Sequence, residues 1–126
     1  MTTIIDPSGT PTIIFNRGGI AIVSFTAVRQ AGSPPTADPI PNVSGHTIAY
    51  IAADDNGIGS PWVALPAGAD IGDCVEVYLK ESATGTELTI VPATGDVIGG
   101  GGGSVSAGIG AYFRKVDSTV WRMIKA

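Results

Sequence analysis

Three runs decide the fold class: C-V-E-V-Y-L-K-E (Cys74–Glu81), E-L-T-I-V-P (Glu87–Pro92) and I-G-A-Y-F-R-K-V-D-S-T-V-W-R-M-I (Ile109–Ile124). In the first, Val75, Val77 and Leu79 fall on one side of an extended chain, and Glu76 and Lys80 on the other. Tyr78 shares the polar side. Ser82 to Thr86 turns the chain, and Glu87 to Val91 returns with Leu88 and Ile90 inward until Pro92 closes it. The third run reads as a hairpin of Ile109–Val116 and Thr119–Ile124 about Asp117-Ser118, with Phe113 and Trp121 as core anchors.

The surrounding chain has the same grammar. Thr12–Phe15, then Asn16-Arg17-Gly18-Gly19, then Ile20–Val28 reads as a hairpin. Thr47–Ala53 is a strand followed by Asp54-Asp55-Asn56-Gly57, whose Asn-Gly favours a two-residue hairpin loop. Trp62–Leu65 is a short strand ending at Pro66, and Ala67–Asp73 is a loop. Asp96–Ile98 is another short strand. Gly99–Gly103 is read as irregular, because five glycines lose much entropy in regular structure. Nowhere do apolar residues keep helical spacing for ten residues or more. About eight to ten short strands are expected, in an all-β β-sandwich, a jelly-roll-like fold or a small barrel.

Two segments stand apart. Residues 1–11 carry Pro7, Gly9 and Pro11 and read as an extended N-terminal arm or an edge strand. Residues 30–41 carry Pro34, Pro35, Pro39 and Pro41, which exclude helix and central strand. They read as an extended loop, mobile or laid across a neighbour. The residues before that loop are too few for a core of their own, so residues 1–126 are expected to form a single domain.

Composition narrows the function. Charged residues are 14% of 126, against a typical ~25%, while Gly and Pro number 18 and 9. A surface so poor in charge is expected to be buried in part against other chains, or to be covered by Ser and Thr. The net charge of −4 argues against nucleic-acid binding, which needs a basic face. No run approaches the ~20 apolar residues of a membrane helix, and Met1–Pro7 lacks the pattern of a secretion signal. One cysteine, Cys74, leaves no internal disulfide and no thiolate cluster.

No catalytic residue, metal or cofactor is expected. His46 is the sole histidine, sits beside Ser44-Gly45, and has no G-x-S-x-G nucleophile pattern to serve. Gly99–Gly103 lacks the following helix that a phosphate cradle requires. Asp70/Asp73 and Asp54/Asp55 lie in turns, where Asp bonds its own backbone; the second pair lacks calcium-loop spacing. Arg114, Lys115, Arg122 and Lys125 place four of seven basic residues near the C-terminus. Arg114 and Lys115 must point to opposite faces of a strand. Arg114 and Arg122 are candidates to meet an acidic partner.

Leu65–Tyr78 (L-P-A-G-A-D-I-G-D-C-V-E-V-Y), Leu88–Gly100 (L-T-I-V-P-A-T-G-D-V-I-G-G), the Gly/Ser loop after it and Tyr112–Trp121 (Y-F-R-K-V-D-S-T-V-W) resemble a β-rich module of tailed-bacteriophage virion proteins. Ile4–Arg17 is similar to the opening of small phage structural proteins. The resemblance covers about two-thirds of the chain. It implies a head decoration, or cement, protein: a homotrimer or capsomer bridge on the capsid exterior, made in the host cytoplasm and clamping the major capsid protein lattice. Ile4, Ile5 and Pro7 of the arm, and Pro34, Pro35 and Pro39 of the loop, are the candidates to reach a neighbour. The alternative is a tail, fibre or baseplate component that binds a receptor or glycan. That role calls for clustered exposed aromatics; Trp62, Tyr50 and Tyr112 are the candidates, with some expected to be buried. A small hydrolase is a third class, disfavoured by the lone histidine.

Overall fold

A computed structural model describes residues 2–4, 12–15, 19–27, 29–30, 37–42, 45–53, 60–80, 87–99, 103–106 and 110–125. These are all-β. The strands are β1 (Thr2–Ile4), β2 (Thr12–Phe15), β3 (Ile20–Ala27), β4 (Arg29–Gln30), β5 (Asp38–Pro39), β6 (His46–Ala53), β7 (Ser60–Ala64), β8 (Cys74–Leu79), β9 (Glu87–Val91), β10 (Val97–Gly99), β11 (Gly103–Ser106), β12 (Gly110–Asp117) and β13 (Val120–Lys125).

One sheet has eight strands in the order β1-β2-β3-β6-β8-β12-β13-β10. The other runs β11-β9-β7-β4, with β5 also paired to β7. From β6 to β12 the chain changes sheet at every connection. Strands of one sheet therefore meet in parallel, with β3 beside β6, β6 beside β8, and β7 beside β9. Facing residues are one coil apart: Ile20 with His46, His46 with Cys74, and Trp62 with Thr89, separations of 26, 28 and 27 positions. Parallel neighbours need a long crossover, and here a strand of the opposite sheet supplies it.

This wiring corrects the hairpin expected at Asp54–Gly57, and the return expected after Ser82–Thr86 does not pair with the strand before it. Both turns lie outside the described residues, but the strands they join sit in different sheets: β6 does not pair β7, and β8 does not pair β9. Antiparallel pairing occurs in β1-β2-β3, β4-β7, β9-β11 and β8-β12-β13. The parallel ladders depart from the antiparallel wiring of a jelly roll or an up-and-down barrel. Strands in parallel ladders read as apolar on both faces, and I-A-I-V-S-F-T-A of β3 has that character.

The core draws on both sheets. Ala49, Ile51, Val75, Val77, Leu79, Ala111, Phe113 and Trp121 of the larger sheet form one buried cluster with Val63, Leu88 and Ile90 of the smaller and with Leu65 just after β7. Phe113 and Trp121 are fully buried, as the hairpin reading requires. One polar contact penetrates this core. Lys115, 3% exposed, places Nζ 3.1 Å from Asp96 Oδ2, and Trp121 Nε1 donates to the same oxygen at 3.3 Å. The Lys115 ammonium also lies 5.7 Å from the Trp121 ring centroid, within cation–π range.

The two reaching segments are revised. Thr2–Ile4 is an edge strand paired to Ile13–Phe15, so the first part of the expected arm belongs to the sheet; of Ile4 only the backbone is described. Asp38–Pro39 lies along β7. Ile40 is buried in the core and its N–H donates to Ala64 O at 2.9 Å. The end of the proline-rich segment is therefore laid on this chain's own sheet. Gly99 and Gly103, expected in a loop, end β10 and begin β11, with residues 100–102 outside the described set. The Asp70–Asp73 turn behaves as expected of turn aspartates: Asp70 N–H donates to Asp73 Oδ2 at 2.9 Å, and Asp73 N–H to Asp70 O at 3.0 Å. Gly72, at φ 98°, supplies the left-handed residue and donates to Lys115 O.

Candidate functional site

Alternation along the strands leaves the larger sheet with an outer face. Because Val75, Val77 and Ala49 point to the core, Glu76, Tyr78, Ile48 and Tyr50 take the other side. Register then assembles rows. Ser24, Tyr50, Tyr78 and Gly110 are successive neighbours across β3, β6, β8 and β12. So are Ile22, Ile48, Glu76 and Tyr112. A third row runs from Ile20 through His46, Cys74, Arg114 and Arg122 to Gly99.

A hydrogen-bonded network ties the rows together. His46 Nε2 lies 2.7 Å from Glu76 Oε2, and the Tyr78 hydroxyl donates to Glu76 Oε1 at 2.9 Å. The Tyr112 ring meets the His46 ring edge-on, centroids 6.3 Å apart. Arg114 Nε donates to Cys74 Sγ at 3.4 Å, while the thiol donates to Gly72 O at 3.4 Å. Cys74 and His46 are register neighbours on a face with Glu76, yet the sulfur is committed to Gly72 and Arg114. The arrangement holds these donors and acceptors in fixed places.

Glycines make room for this order. The Tyr78 ring lies on the Gly110 backbone: a methyl built at Gly110 would come 2.2 Å from Tyr78 Cε1. One built at Gly99 would come 2.9 Å from Arg122 Cδ. Lys80 Nζ stands 5.2 Å from the Tyr50 ring centroid.

The hydrogen bond to Glu76, then burial, then the nearby negative charge hold the Tyr78 phenol above its ordinary range. Tyr112 is raised chiefly by hydrogen bonding to Cys74, against Arg114, which lowers it. Contact with Cys74 and then Tyr112 holds Arg114 more firmly charged than a free guanidinium. Since the folded protein retains the Tyr78 proton more strongly than the unfolded chain, this contribution to stability is full below the ordinary phenol pKa of about 10 and fades as pH rises past the folded value. Glu76→Gln is expected to return Tyr78 toward about 10, read by ultraviolet titration of the phenolate against a Tyr78→Phe control.

Of the residues named from sequence, Arg114 and Arg122 come together as direct cross-strand partners, both exposed. Lys115 turns inward, as alternation demands. Pro39 is exposed beside β7, away from this row. Ile5, Pro7, Pro34 and Pro35 lie outside the described residues. Sequence reading missed the His46–Glu76–Tyr78 network. Alternation placed Glu76 and Tyr78 on one face, but His46 joins them only through the β6–β8 ladder. Trp62, Tyr50 and Tyr112, some of which were expected to be buried, are all half-buried or exposed. Among the described residues no group of three or more His, Cys, Asp or Glu could hold a metal, and no helix is long and apolar enough to cross a membrane.

No protein-family model and no curated protein matches the chain. A solved structure described as that of a chaperone–substrate complex is similar over 79% of this chain, at 20% identity and a TM-score of 0.49. The match spans 17% of that structure's chain, and a likeness this loose carries no argument about function.

Proposed function

We propose that the protein is a structural component of a tailed-bacteriophage virion, a head decoration protein that docks on the assembled shell of major capsid protein and stabilises it. The observation that carries this reading is the outer face of the eight-stranded sheet. Ile20, Ile22 and Ile48 are half-buried there and Tyr50 is 43% exposed, beside a few polar groups already locked in place. Aromatic and aliphatic surface with sparse, fixed polar groups and arginine is what protein interfaces use. The chain's low charge and the phage resemblance of Leu65–Tyr78, Leu88–Gly100 and Tyr112–Trp121 support the same role. The mechanism is mass action: a protein that binds the assembled shell, and not the free subunits, shifts the equilibrium toward the shell.

The test is co-sedimentation with shells lacking this protein, with its solution mass measured by light scattering. Saturable binding by a trimer is the expected result. A chain that stays in the supernatant at every concentration overturns the reading.

One observation favours a second reading, a tail or fibre component that binds host-surface glycans. Tyr50, Tyr78 and Tyr112 gather on one sheet face, two of them direct neighbours. Binding to host polysaccharide together with failure to bind shells would select this reading.

A further inference from the structure

We infer that Arg114 and Arg122 form a two-guanidinium clamp for carboxylates on an acidic protein surface, an assignment that rests on the docking role proposed above. The two are Cα partners across β12 and β13. Like charges directly opposite each other destabilise a sheet. The chain has 11 acidic residues, yet among the described residues neither guanidinium forms an ion pair. Glu76, the carboxylate of the adjoining row, has one oxygen engaged by His46 and the other by Tyr78.

Both arginines are positioned before any partner arrives. Arg114 is exposed and is held through Nε by Cys74 Sγ at 3.4 Å, with Tyr112 as a second contact of its guanidinium. The Arg122 stem lies across Gly99, where a Cβ would come 3.0 Å from Nη1. Holding a long side chain in advance lowers the ordering cost of binding.

The surroundings say what kind of acid fits. Val116, Val97 and Ile124 stand two residues along from Arg114, Gly99 and Arg122, and are 44%, 54% and 58% exposed. Exposed aliphatics around arginine suit a protein surface. The nearby tyrosines are in part engaged within the chain: Gly110 lies against the Tyr78 ring, and Lys80 Nζ stands 5.2 Å from the Tyr50 ring centroid. The match is charge complementarity between this local basic pair and an acidic partner.

The test titrates isotope-labelled protein with a hexaglutamate peptide at low salt, following the arginine Nε–H signals by NMR. Saturable shifts at Arg114 and Arg122 are expected, with affinity falling as salt rises. Arg114→Glu with Arg122→Glu is expected to weaken binding about tenfold or more. Gly99→Ala keeps every charge but displaces Arg122, and is expected to weaken binding measurably. Arg114→Gln with Arg122→Gln, checked for an unchanged melting temperature, serves should charge reversal disturb folding. A charge-reversed or neutralised pair that binds as the parent does, or peptide shifts centred on Arg17 and Arg29 instead, overturns the clamp. The same variants on shells separate the two ideas: a parent that binds shells while the double variant binds equally sinks the clamp alone. A parent that binds the peptide and ignores shells sinks the docking role.

Discussion

Asp96→Ala is expected to destabilise the protein by about 3–5 kcal/mol, read as a lower urea midpoint with an unchanged slope. The Lys115 ammonium is 3% exposed, and the Asp96 carboxylate beside it 11%. Removing Asp96 strands a cation in the core and leaves Trp121 Nε1 without its acceptor. The cost is that of an uncompensated buried charge rather than of one lost contact. Changing both partners, Asp96→Asn with Lys115→Met, removes both charges and keeps an oxygen for Trp121. That pair is expected to cost far less than Asp96→Ala alone. Equal losses in the two proteins would show that the ion pair is not what holds this corner together.

The second large effect is at Ile40. Ile40→Ala is expected to cost about 2–5 kcal/mol, the range for emptying a buried aliphatic site. Ile40 is 1% exposed and belongs to the same cluster as Leu65, Leu88 and Ile90. Its neighbour Pro39 is exposed, so Pro39→Ala is expected to change stability by about 0.5 kcal/mol or less. Thermal or urea unfolding of the two variants side by side measures the contrast. Loss at Pro39 with tolerance at Ile40 would mean that the segment is held by its backbone and not by its side chain.

The two predictions mark where sequence was readable and where it was not. Alternation in Cys74–Leu79 named the inward residues, because a strand with one buried face writes that face at every second position. The last hairpin was legible for the same reason, and Asp117-Ser118 marks its reversal. Ile40 was hidden because prolines on both sides spoke for a loop, and a single apolar residue has no period. The partners of each strand were hidden for a deeper reason. Turn residues report that the chain reverses, and nothing about which sheet receives the next strand. Asn56-Gly57 was therefore read as a hairpin loop, and Ser82–Thr86 as a plain return, although the strands around them part company. Arg114 and Arg122 met within a legible hairpin. His46 and Glu76 are 30 residues apart and meet only through a parallel ladder.

That winding path also sets a timetable. The parallel ladders β3-β6, β6-β8 and β7-β9 each join residues 26 to 28 positions apart. Each ladder therefore waits on closure of a long loop, and chains dominated by such pairings fold in roughly milliseconds to seconds rather than microseconds. A chain growing from the ribosome would carry the open edge of its newest strand until the following coil had emerged. Trp121, which fills the core, comes after all of these ladders. The larger sheet is thus completed late, and the strand edges left open until then are a hazard of synthesis.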